Sequence, residues 1–155
     1  MRKAVSVPLL ILLITLLLNV MIASSTILLH ELGHYLTGIM AGCTNIKLVL
    51  IDSDAGTYTE MRCSDPVHML FPVFGALVLT VPFSLLFLLI KHLPERNLFL
   101  IGIGFNFSIM VLDMPDLVFI RHMALAGGVI LFIMGQMNLI DSLFDYVGRK
   151  ESVIV

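Results

Sequence analysis

Charge is scarce in this sequence. Only 13% of its 155 residues are Asp, Glu, Lys or Arg, against 59% apolar residues and a mean hydropathy of +1.05. Soluble domains carry roughly 25% charged residues, so this composition excludes an ordinary water-soluble domain and points to lipid as the solvent. No long basic run occurs and the formal net charge is -2, which leaves no reason to propose nucleic acid as a partner. Cysteine is nearly absent. Cys43 and Cys63 flank one polar segment, too few for a disulfide framework or a structural zinc site. Two unpaired thiols are the expected state, with a disulfide closing the segment as the alternative, and then only in an oxidising compartment. Also lacking is a convincing signal-cleavage site after Met1-Arg2-Lys3. The apolar run continues from Val7 to Leu29, too long for a signal sequence, and is expected to be a retained first helix. No internal repeat or low-complexity linker breaks the chain, so residues 1–155 are read as one domain.

What is present is a series of apolar runs. A bilayer core about 30 Å thick needs roughly 20 residues per helix, so this length has room for about four spans and for no separate soluble catalytic domain. The runs place them at about 8–40, 67–90, 98–113 and 117–140. The expected fold class is therefore mainly α, a polytopic, multi-pass membrane protein with a small β-hairpin inserted after the first helix. The first run would be about 50 Å long as one straight helix, so it must tilt, break or emerge, and His30 would lie about 33 Å along it, near the far face of the membrane. Between about 46 and 62, Ile46-Lys47-Leu48-Val49-Leu50-Ile51 and Thr57-Tyr58-Thr59-Glu60-Met61 flank Ser53-Asp54-Ala55-Gly56, the pattern of a hairpin. Pro72 and Pro82 fall inside span two, where membrane helices tolerate them. Span three meets Asp113 after roughly 22 Å, so its polar end is expected to be buried. Residues 141–155 read as a short tail, with a weakly amphipathic helix through Leu143, Phe144 and Val147 as an option.

His30-Glu31-Leu32-Gly33-His34 carries the chemistry. On a helix, His30 and His34 project from one face and can bind one metal ion, while Glu31 lies beside them to take a proton from the attacking water. Zinc lowers the pKa of a coordinated water to about 7, and a catalytic zinc site typically has three protein ligands. Ionisable groups inside an apolar span cost at least ~2.5 kcal/mol each and so need a partner or a function. The third ligand is expected from another span at the same depth. If spans alternate, the end of span three lies beside the end of span one, which brings Asp113 and Asp116 near the motif. Asp116 is the first choice and Asp113 the alternative, although Asp116 after Pro115 also suits a helix cap and Asp113 a turn. His122 and His68 are weaker candidates, and Arg121 is expected to snorkel towards headgroups or pair with an aspartate.

These residues resemble the site-2 protease family of intramembrane zinc metalloproteases, in which the HExxH motif lies on the first core helix and an aspartate comes from the third. The resemblance runs from about residue 20 to 125. HELGH, the small-residue continuation Gly38, Ala41 and Gly42, and a strand pair ending in Gly56-Thr57 carry it, and Asn106 with Asp113-Met114-Pro115-Asp116 stands near the family's Asn-to-Asp pattern. The chain departs from that pattern: Ser108 or Ile109 replaces the proline, no glycine follows either aspartate, and Gly75 is not followed by proline. The resemblance implies Zn2+ held by His30, His34 and Asp116 or Asp113, Glu31 as general base, and Asn106 holding substrate or oxyanion. The substrates it implies are membrane proteins or peptides, hydrolysed within or next to the bilayer and aligned as an added strand on the hairpin.

Two other functions fit less well: a non-proteolytic zinc-binding membrane protein of the same fold, which has no need of Glu31, and a metal or proton transporter, for which span four lacks a matching acidic residue. On orientation the indications conflict. Arg2, Lys3, Lys91, Arg96, Arg149 and Lys150 fall at one side against Lys47, Arg62 and Arg121 at the other, which puts the termini in the cytoplasm and the motif outward. The family resemblance implies a motif facing the cytoplasm.

Overall fold

A computed structural model describes residues 7–53, 56–64, 66–89, 95–113 and 118–151, and of 66–73, 95–96 and 147–151 it describes the backbone. The elements are α1 (Val7–Met40), β1 (Thr44–Asp52), β2 (Gly56–Arg62), α2 (Pro66–Leu86), α3 (Glu95–Ile109) and α4 (Val118–Glu151). Single 3₁₀ turns extend α2 over Phe87–Leu89 and α3 over Met110–Asp113. The chain is mainly helical with one antiparallel hairpin after the first helix, as its composition and turn residues predict. Two helices, Val7–Met40 and the Val118–Tyr146 part of α4, are long and apolar enough to cross a membrane by length and composition, fewer than the four spans expected; Phe74–Leu89 and Asn97–Asp113 are shorter apolar stretches.

The distribution of side chains is inverted relative to a soluble protein. Leu12 is 64% and Phe119 78% exposed, and such apolar residues line the outward faces of α1 and α4, whereas Thr26 and Thr80 are fully buried and His30 is 1% exposed. On α1 the buried positions Thr15, Ile22, Thr26, His30, Gly33 and Thr37 recur at three, four or seven residues, a single helical stripe. In water such a helix would turn its leucines inward; here the small and polar stripe is the face packed against protein. Asn19 and Gln136 join α1 to α4 through a reciprocal amide pair, with Asn19 Nδ2 donating to Gln136 Oε1 at 3.1 Å and Gln136 Nε2 donating to Asn19 Oδ1. Asn97 Nδ2 donates to Ser142 Oγ at 3.1 Å between α3 and α4.

Glycines set how closely the helices approach. A Cβ on Gly33 would overlap the Gly75 carbonyl, and one on Gly75 the Thr37 hydroxyl, so α1 and α2 touch backbone to backbone there. Gly104 and Gly128 do the same for α3 and α4. Small residues at a crossing let helices pack where burial from water offers no driving force. Ile22, Leu98, Ile101 and Leu139 form the buried apolar cluster, joined by Leu18 and Phe87. These contacts make α1 and α3 parallel and α2 and α4 opposite. One end of the bundle therefore gathers the end of α1, the hairpin, the end of α3 and the starts of α2 and α4.

At that end α1 stops where Gly42 adopts a left-handed φ of 69°, and the Cys43 N–H bonds back to the Gly38 carbonyl at 3.0 Å. The strands pair with Thr44 opposite Arg62 and Val49 opposite Tyr58. Cys43 and Cys63 are the next residues beyond the outermost pair, with Cα atoms 4.4 Å apart, and they form a disulfide. This corrects the expectation of unpaired thiols: antiparallel register brings to the hairpin's base two residues 20 apart in sequence.

Two boundaries also differ from those expected. Helix α3 begins at Glu95, earlier than the apolar run suggests, because its first turn is polar. Helix α4 runs on past Ile140 to Glu151, so the helix expected through Leu143, Phe144 and Val147 is present and is continuous with the apolar run before it; Ser142 is tied to Asn97.

Candidate metal centre

Three side chains from two elements meet at the hairpin end of the bundle. His30 and His34 stand one helical turn apart on α1, with ring centroids 4.7 Å apart and planes at 80°. Asp113 ends the 3₁₀ turn after α3. Its Oδ2 lies 2.8 Å from His30 Nε2 and 3.2 Å from His34 Nε2, and the two Nε2 atoms are 3.1 Å apart. Both histidines are buried, and the Asp113 side chain is 22% exposed.

The far side of His30 determines what the near side can do. Its Nδ1 lies 3.1 Å from Asn106 Oδ1. Asn106 can pair with Nδ1 through its amide oxygen or its amide nitrogen; with the oxygen accepting, Nδ1 carries the hydrogen and the His30 Nε2 lone pair is left for a metal ion. In that tautomer a metal ion between Nε2 and the carboxylate would satisfy both, whereas a proton on Nε2 makes the contact a hydrogen bond of 2.8 Å. The triangle suits a metal ion: three ligand atoms at 2.0–2.1 Å from one tetrahedral zinc are about 3.3 Å apart, slightly more than the separations of 2.8, 3.1 and 3.2 Å found here. Asn106 is 1% exposed, and its Nδ2 is buried without a hydrogen-bond partner. An outer amide that fixes a ligating histidine's tautomer is the usual support of such a centre.

Asp113 reaches the histidines because it follows Asn106 by two helical turns, so both lie on the face of α3 turned to α1. Asp116, the aspartate preferred from sequence, lies outside the described residues, and the backbone alone is described for His68. His122 is exposed, with its Nδ1 donating to the Val118 carbonyl at 2.6 Å within α4, away from the cluster. Glu31 is half-buried between the two histidines in sequence, and its carbonyl accepts a hydrogen bond from Thr59 Oγ1 at 2.9 Å, which docks β2 on α1 at the motif itself. Ile46 and Met61 pack over Gly38 one step further along.

Sequence reasoning missed the hold of Asn106 on His30, the Thr59 anchor and the Asn19–Gln136 pair. Asn19 and Gln136 carried a signal, since an amide within an apolar run needs a partner. Thr59 carried none, because a threonine in a strand is ordinary. Searches against family models, curated proteins and solved structures find no match for this chain.

Proposed function

We propose that this chain is an intramembrane zinc-dependent endopeptidase of the site-2 protease type, acting on membrane-embedded or membrane-adjacent peptides. The observation that carries the reading is the convergence of His30 Nε2, His34 Nε2 and Asp113 Oδ2 on one point, with Glu31 next to His30 in the chain, in a bundle with an apolar exterior. His30, His34 and Asp113 would hold the ion, with Asn106 fixing His30. Bound zinc supplies Lewis acidity, which polarises a peptide carbonyl and makes water a nucleophile near neutral pH. Glu31 accepts the proton of the attacking water and passes it to the leaving amine nitrogen as the C–N bond breaks. The partnerless Asn106 Nδ2 is a donor suited to a carbonyl or oxyanion in the site. The hairpin, docked on α1 at Glu31, offers its outer strand edges to an extended peptide.

A four-span, multi-pass arrangement agrees with the helix lengths. The 21 residues of α2 span about 31 Å, and the 15 of α3 with its 3₁₀ turn about 30 Å, each close to the thickness of a bilayer core. A cleft of about 400 Å³ between α1, α3 and α4, bordered by Val20, Phe105, Phe132 and the Asn19–Gln136 pair, lies further along the bundle and includes none of the site residues. A non-proteolytic zinc protein or a transporter leaves the glutamate of the His-Glu-Leu-Gly-His motif, Glu31, without a purpose.

Glu31→Gln tests the reading. In proteoliposomes containing a model transmembrane peptide, hydrolysis should fall by about 10²–10⁴-fold while zinc content stays at the wild-type level. Undiminished hydrolysis in this variant would remove Glu31 from the chemistry.

A further inference from the structure

The metal end of the bundle carries the chain's entire complement of cysteine, and that cysteine is oxidised. Cys43 and Cys63 are the two cysteines of the sequence, and they are joined across the base of the hairpin. Both are half-buried at the surface rather than enclosed in the bundle. Cytoplasmic thiols are kept reduced, whereas disulfides at accessible positions persist in secretory, periplasmic or extracellular compartments. The hairpin follows α1 directly and touches it at Glu31 and Gly38, so the compartment that contains the disulfide is also the one that faces the His30–His34–Asp113 cluster.

A second observation is independent of the first. The helix directions assign each basic residue to an end. Lys47 and Arg62 lie on the hairpin and Arg121 in the first turn of α4, all at the metal end. Arg96 in the first turn of α3 and Arg149 and Lys150 in the last turn of α4 lie at the opposite end, and in the sequence Arg2 and Lys3 precede α1 and Lys91 falls between α2 and α3, outside the described residues. Lysine and arginine accumulate on the cytoplasmic side of membrane helices, which puts that opposite end in the cytoplasm. Disulfide chemistry and charge distribution thus agree, and they disagree with the orientation implied by the family resemblance.

We infer that the metal centre opens to the oxidising, non-cytoplasmic side of the membrane, and that its substrates, on the proteolytic reading above, are the extracytoplasmic ends of membrane segments. A peptide bond near the far face of a substrate helix is then within reach, and one near its cytoplasmic face is not. The disulfide has a structural part in this. By closing the hairpin at its base it keeps Thr59 against the Glu31 carbonyl and Met61 against Gly38, so the strands stay seated over the motif.

Thiol labelling of the full chain in a bacterial host tests the orientation without reference to hydrolysis. Acid-quenched cells are treated with a maleimide-linked polyethylene glycol with and without prior reduction. The wild type should gain two polymer masses only after reductant. In a Cys63→Ser variant, Cys43 should react with a membrane-impermeant maleimide in intact spheroplasts. In a cysteine-free background, Lys150→Cys should react only after the membrane is opened. Full labelling of wild type without reductant, or the reverse pattern of protection between Cys43 and the residue 150 probe, would overturn the inference. The wild-type measurement stands if Cys63→Ser fails to fold. Retained hydrolysis in Glu31→Gln would instead remove the protease reading and leave the orientation intact.

Discussion

Each buried polar side chain at the site has a job that its neighbour defines. His30 faces Asp113 with Nε2 while Asn106 pairs with its Nδ1, and Asn106 is buried because α3 brings it against α1. Removing Asn106 takes away the tautomer lock without removing a ligand. In Asn106→Ala, zinc affinity measured by competition with a chelator should fall by about 10–100-fold, the range found when outer-shell partners of metal ligands are removed, and the ion should still bind. Unchanged affinity would mean that the His30 ring is oriented by packing alone. At this scale the sequence was informative to an uneven degree. His30, Glu31 and His34 were legible because one helical turn fixes their relation. The choice between Asp113 and Asp116 was not, because it depends on where α3 tightens into a 3₁₀ turn and how that turn meets α1, a relation across 79 residues for His34.

Helices and hairpin were legible in kind and approximate in extent. Apolar runs announced the helices and Asp-Gly-rich turn chemistry announced the hairpin, since each is a local signal. The ends were less clear: α3 starts in polar residues at Glu95, and α4 runs on to Glu151 because no breaker stops it. The disulfide was misjudged because pairing depends on strand register, which spacing alone does not give. Close approach of α1 and α2 was also hidden, because a glycine in an apolar run looks like any other small residue. Gly75 packs against Gly33 and Thr37, which flank His34 along α1. Gly75→Val must push the helices apart; overpacking of this kind costs about 1–3 kcal/mol or more. The thermal midpoint in detergent should drop and zinc occupancy should fall with it, although no metal ligand is altered. A variant with wild-type midpoint and occupancy would contradict the backbone contact.

Among the described residues the molecule is a bundle with threonine, asparagine and histidine side chains buried inside and many apolar side chains outside, and the candidate centre joins its first and third helices. That arrangement fits the composition, in which charge is scarce and apolar residues are many. The whole-molecule claim is that two segments far apart in sequence share one metal ion. The most direct measurement is the zinc content of protein purified in detergent without chelators, wild type beside His30→Ala, Asp113→Ala and Asp116→Ala. The account predicts about one zinc per chain in wild type and in Asp116→Ala, and a loss in His30→Ala and Asp113→Ala that leaves both variants folded. Zinc-free wild type, or Asp113→Ala retaining its full complement, would contradict it.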